Sequence, residues 1–458
     1  MSVSRPARAP GASHSVWRLA WPTIISNLLF NTVGFIHIKI VAGLGTSEVA
    51  AVTTGHRVFF LIQAILMGVS VASTALIARS WGAGLVREAA LVNWNAMLLC
   101  LVLAGLLSLP ILFAPEAIAG LFGLDRHTTA SAAGFIFWLG AFNLAAAANL
   151  VLSSDLRATG DVITPLVFLF FSSLLNVTFA YVLAFGIGPF PQLGVSGVAL
   201  GGSFAGMLVT LCFISLWWRG KFNLKAAKQA RIDRATVRQL VSIGTPAMLE
   251  QGLVQGGFLV FFGIVARYGT EAYAAYGIGI TLVAFAIVVG FGFGIAAATL
   301  VGQQIGAGRP DLAVAAGWRS LRLALVTMGA MALIQVWYAR ELASFMIADP
   351  EVIELTVVFI YMLAACLPMM ACDLTLAGAL RGAGDTRFPL KSTFCGMVFG
   401  RLIPAWIFLS LGLSVYWIYS VMLLDYSTKA CLLVMRYRSG RWLRCGDPDT
   451  YPPESPAV

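Results

Sequence analysis

Two stretches decide the architecture, Leu156-Arg157-Ala158-Thr159-Gly160-Asp161 and Leu380-Arg381-Gly382-Ala383-Gly384-Asp385, which stand in register 224 residues apart. The same offset carries Pro22 onto Pro246, Gly82-Ala83-Gly84 onto Gly306-Ala307-Gly308, Asp125 onto Asp349 and Pro165 onto Pro389. No gap interrupts the register over that length. The chain is therefore a duplication, two copies of one folding unit, and the question becomes what a single copy builds.

Composition answers for the medium. Of 458 residues, 59% are hydrophobic and 11% charged, where a soluble domain carries roughly a quarter charged residues. The mean hydropathy is +0.87. Apolar runs of about 20 residues, enough to cross a bilayer as a helix, fall near 17–41, 52–78, 91–113, 132–152, 163–185, 195–218, 240–266, 276–301, 314–337, 355–377, 388–411 and 415–435. This predicts an all-α membrane protein of twelve transmembrane helices in two six-helix bundles. Six is even, so both copies enter the membrane from the same side and the repeat is parallel; such repeats belong to transporters whose substrate path lies between the halves. The first apolar stretch, 19–43, is too long for a cleaved signal and is read as a span.

The formal net charge of +10 does not mark a nucleic-acid protein, because the basic residues are dealt out between spans and form no folded basic face. They segregate to alternate links: Arg79 and Arg87, Arg157, the run from Arg219 to Arg238, Arg309 and Arg319, Arg381 and Arg387, and the tail from Arg436. By the positive-inside rule both termini and the central loop are cytoplasmic. The expected organisation is an N-terminal lobe over 1–218, a cytoplasmic basic linker over 219–239, a C-terminal lobe over 240–436 and a cytoplasmic tail over 437–458. The seven cysteines show no CxxC or metal-ligand spacing and read as packing residues.

Ionisable residues inside spans are functional candidates, since charge in hydrocarbon is costly. Glu250 lies about 15 Å along a helix expected to begin near Leu240, and its repeat mate is Ser26, so the fold does not demand the acid. Asp373, about 12 Å from its helix end, has Asn149 as mate. Two carboxylates at similar depth suit a proton or a sodium ion, a hard cation that takes oxygen ligands; they are the expected ion-coupling residues, chiefly Glu250. Asp425 and Lys429, one turn apart, read as a structural ion pair. Arg401 is deep and without an evident partner. His37, Lys39, His56 and Arg57 make the first lobe basic where the second is acidic.

The stretches Pro246-Ala247-Met248-Leu249-Glu250-Gln251, Gly294 to Gly308 and Leu380 to Thr386, in order on a duplicated twelve-span frame, resemble the multidrug and toxic compound extrusion (MATE) family. The resemblance covers roughly 17–442. It implies a V-shaped pair of lobes and export of organic, often cationic, compounds against inward flow of protons or sodium ions. The family's first helix commonly carries an aspartate where this chain has His37, and Ala180 stands where an acid is often found, while Asn176 fits the fifth-helix asparagine. The substrate cavity is accordingly expected to include His37, Asn176 and Arg401.

No phosphate-binding loop, H-E-x-x-H pair or G-x-S-x-G elbow occurs, so the expected activity is not enzymatic and its energy comes from an ion gradient. The leading expectation is an antiporter exporting small amphipathic compounds or drugs in exchange for H⁺ or Na⁺, in a bacterial inner membrane, monomeric, with no cofactor beyond the coupling ion and no metal beyond a possible Na⁺ at Glu250 and Asp373. A flippase for a lipid-linked anionic precursor is the alternative.

Overall fold

A computed structural model describes residues 15–227, 232–347 and 349–444. Among the described residues the secondary structure is helical throughout, with no strand. In chain order the helices of the first repeat are α1 (Val16–Ala42), α2 (Thr46–Gly82), α3 (Val86–Phe113), α4 (Pro115–Gly120), α5 (Arg126–Ala141), α6 (Asn143–Ala158), α7 (Ile163–Phe185) and α8 (Gly194–Trp218). Those of the second are α9 (Arg234–Val265), α10 (Thr270–Gly306), α11 (Pro310–Trp337), α12 (Ala339–Met346), α13 (Pro350–Gly382), α14 (Arg387–Phe394), a π-helical stretch (Cys395–Leu402), α15 (Ile403–Ser410) and α16 (Val415–Arg438). The repeat is visible in the boundaries: α10 begins and ends 224 residues after α2, as α11 does after α3.

Eleven helical segments are long and apolar enough to span a membrane, α14 to α15 counting as one, and the bent pair α5–α6 makes twelve if taken as a single span. That pair breaks by 52° at Phe142, whose φ of −102° and ψ of 6° leave the helical region. Its counterpart α13 runs unbroken for 33 residues. The short helices α4 and α12 lie in the links that precede α5 and α13.

The repeated motif at Leu156–Asp161 and Leu380–Asp385 is a helix stop followed by a helix start. Gly160 and Gly384 take φ of 92° and 81°, a left-handed conformation that glycine adopts without strain. The chain then closes back, with Asp161 N–H donating to the Leu156 carbonyl and Asp385 N–H to that of Leu380. Each aspartate next caps the following helix: Asp161 accepts from Thr164 N–H and Oγ1, and Asp385 from Phe388 N–H. Asp385 also receives Arg436 at 2.7 Å.

The described residues fall into two compact units, one of Ile25–Ser80 and Leu85–Gly244, the other of residues 15–24, Trp81–Gly84 and Thr245 onward. In the first, α8 lies close on α7, with Gly197 and Gly201 against the backbone at Leu183 and Phe179. In the second, α10 and α13 close on one another where a Cβ on Gly378 would meet the Gly294 carbonyl. α9 starts at Arg234, within the stretch expected as linker, because Asp233 caps it by accepting from Ala235 N–H, Thr236 N–H and Thr236 Oγ1. The outer faces carry exposed Val102, Leu106, Val326, Leu333 and Trp337, apolar surface that needs hydrocarbon against it.

Candidate functional site

The second unit gathers six ionisable side chains from four helical segments. Glu250 on α9 is 4% exposed. Its carboxylate accepts from Arg381 Nη2 at 2.6 Å and Nε at 3.3 Å, using both oxygens, and from Thr393 Oγ1 at 3.1 Å. This fork geometry is the strong form of a charge-assisted contact. Arg381 comes from the end of α13 and Thr393 from α14, so the acid expected to stand open to a cation is held by a guanidinium.

Asp425 on α16 is the second anchored acid, with Arg401 Nη2 at 2.6 Å and Lys429 Nζ at 3.0 Å. The Asp425–Lys429 pair matches the one-turn spacing read in the sequence. Arg401, which seemed to lack a partner, finds one across the bundle. Its guanidinium is fully buried and stands over the rings of Phe258, Tyr426 and Phe261 at 5.1, 5.4 and 5.5 Å. The π-helical stretch that carries it ends at Leu402, and Pro404 in the first turn of α15 lacks the N–H that would bond back into that stretch. Gly396 and Gly400 let that stretch approach Asp425 and Lys429, where any Cβ would collide. Wide helical turns of this kind recur at functional positions.

Asp373 on α13 is different. Its electrostatic neighbours are Lys429, Asp425, Glu250 and Arg381, yet among the described residues it makes no hydrogen bond or ion pair. It is only partly buried. With all six groups ionised, Arg381, Arg401 and Lys429 balance Glu250, Asp373 and Asp425. The second lobe is thus not the acidic lobe that its two isolated carboxylates suggested. Buried charges are retained when paired, and the pairing arginines come from helices far along the chain.

In the first unit, His37 Nε2 lies 2.6 Å from Asn176 Oδ1, and Asn176 Nδ2 donates to the Gly202 carbonyl at 3.2 Å. That second bond fixes the amide orientation, so His37 Nε2 is the donor and carries the proton. The His56 ring stacks 6.0 Å from His37, with Phe135 edge-on at 5.3 Å. Ala180 is fully buried. His37 and Asn176 are brought together; Arg401 belongs to the other unit and meets neither within it.

Sequence reasoning passed over Asp155, which is fully buried on α6 with Ser73 and Asn93 on its two oxygens. It sits two residues before Arg157 and reads as a cytoplasmic helix end. The available signal was its repeat mate Ala379 and the polar run Ser153-Ser154-Asp155.

A duplicated, all-helical, multi-span bundle with charges buried inside it defines a polytopic membrane transporter. The family profile described as MatE matches residues 22–182 and 246–407, one match per repeat, and the chain belongs to this MATE family. It is 26% identical over 437 residues to a probable multidrug resistance protein NorM of Thermotoga maritima, covering 93% of this chain and 92% of that one. It is 26% identical to an FAD transporter of Shewanella oneidensis, covering 78% and 79%. In structure it resembles the Vibrio cholerae MATE transporter VcmN, with a TM-score of 0.86 at 19% identity over 92% of this chain and 95% of that one, a likeness of fold.

Proposed function

We propose that the chain is an antiporter that exports small amphipathic organic compounds in exchange for H⁺ or Na⁺, with the coupling ion taken at Asp373 and Glu250. The observation that carries the reading is the balanced six-charge cluster in which Asp373 alone is unpartnered. Asp373 offers free carboxylate oxygens, the ligand type of a proton or a hard cation. A cation there leaves the cluster with one excess positive charge, which favours release of Arg381 from Glu250 or of Lys429 from Asp425. The result is a rearrangement of the helices that carry those residues, and ion binding is tied to conformation in this way. His37 and Asn176 offer polar contacts to substrate in the first unit. Arg401, enclosed by aromatic rings, contributes by holding the charge of Asp425.

The names of the multidrug and FAD-transporting relatives support a small organic substrate, and no observation favours the flippase alternative. The reading places both termini in the cytoplasm of a bacterial inner membrane, on the positive-inside rule, and takes the protein as a monomer. Purified protein in liposomes, with a pH or a sodium gradient imposed separately, tests it. Uptake of a fluorescent organic cation under at least one gradient is expected, and transport indifferent to both would refute it.

A further inference from the structure

Asp155 is fully buried in the first unit. Its Oδ1 accepts from Ser73 Oγ at 2.5 Å and its Oδ2 from Asn93 Nδ2 at 2.6 Å. Beside it, Ser70 Oγ donates to Ser154 Oγ at 2.6 Å. Among the described residues no arginine, lysine or histidine forms an ion pair with Asp155; Arg157, two residues along α6, and Arg79 on α2 make none with it. Among the described residues the Cys100 thiol of α3 is a titratable side chain in its electrostatic field. Asn93 is also fully buried, and its Oδ1 has no hydrogen-bond partner. A carboxylate with two neutral donors and no counter-charge is among the costliest groups to bury, and a cation on its oxygens removes that cost.

The second copy shows that the fold does not require this polar cluster. At the repeat offset Ser70 becomes Gly294, Ser73 becomes Ala297, Ser154 becomes Gly378 and Asp155 becomes Ala379. There the helices close through small residues, with Gly378 against the Gly294 backbone. Asn93 becomes Gly317, whose space is taken by the Tyr437 hydroxyl. The first unit buries Asp155, Ser73 and Asn93 where its copy carries Ala379, Ala297 and Gly317.

We propose that Asp155, Ser73 and Asn93 form a cation-binding site of the first unit, separate from the second-unit cluster, that takes a proton or a sodium ion on the Asp155 carboxylate. Three side chains supply the oxygens: the carboxylate, Ser73 Oγ and, after rotation of its amide, Asn93 Oδ1. Which cation binds is a matter of competition for the same oxygens.

Infrared difference spectra of purified full-length wild type against Asp155→Asn, in sodium and in N-methylglucamine buffers from acid to alkaline pH, test the site without any transport. Their outcome is therefore independent of the antiport reading. Expected is a protonated-carboxyl band in sodium-free buffer that is lost as pH rises. Its conversion to carboxylate bands on adding sodium identifies sodium as an occupant, and its indifference to sodium identifies the proton. Carboxylate bands at every pH and in both buffers would overturn the proposal, as would a protonated band that neither alkali nor sodium removes. Should Asp155→Asn not fold, Asn93→Leu keeps the carboxyl and removes one oxygen; it is expected to change cation affinity by about 10-fold, read as a shift of about one pH unit in the titration midpoint. An unchanged midpoint would overturn the proposal.

Discussion

Replacing Arg381 by methionine removes the guanidinium that holds Glu250 and leaves the carboxylate with Thr393 as its hydrogen-bond partner. The two side chains are 15% and 6% exposed, so the pair is nearly but not wholly out of solvent. Breaking a buried pair from one side costs about 3–5 kcal/mol, and the partial exposure of Arg381 puts this case near 3 kcal/mol. Glu250→Gln strands the arginine at similar cost. The double variant strands neither charge, and neutral replacement of a buried pair is often close to harmless. Two single losses near 3 kcal/mol and a double variant near zero should give a coupling of about 6 kcal/mol, larger than neighbouring residues usually show because each single variant strands a buried charge. Unfolding of the four proteins in matched detergent measures it. If the two single losses simply add, the contact does not hold Glu250 and the balanced-cluster reasoning fails.

His37→Gln should retain most transport, because a glutamine amide can still donate to Asn176 Oδ1; transport at background, with the protein inserted, would make the first lobe the coupling lobe. Gly378→Leu should destabilise by about 1–3 kcal/mol or more, since its side chain has only the Gly294 backbone to displace, and an unchanged melting temperature would show that α10 and α13 do not pack this closely. A reporter fused after Arg234 should be active only in the cytoplasm and one after Asp349 only outside, with the reverse pattern overturning the orientation.

The spans and the duplication were legible because both are properties of local sequence: an apolar run declares its own length, and an ungapped offset survives in α2 and α10 down to their end residues. The Gly-Asp turns were legible for the same reason, each glycine lying next to the helix it ends. The site was legible only as a set of residues. Glu250 and Asp373 stood out because charge is rare in these spans, but that Arg381, 131 positions from Glu250, returns to neutralise it depends on how α9 and α13 pack. Arg401 found Asp425 through a π-helical turn that no periodicity announces. Asp155 was missed because three residues at a helix end look solvated until α2 and α3 close over them. The bend at Phe142 had no counterpart in the hydrophobic pattern, which runs on past it as it does in α13.

The central claim is that Asp373 is the carboxylate free to take the driving ion. Gradient-driven uptake in liposomes, compared between wild type and Asp373→Asn at equal inserted amounts, tests it most directly. Asp373→Asn should bind the fluorescent substrate yet show no uptake under either a pH or a sodium gradient. Wild-type uptake by Asp373→Asn would contradict it.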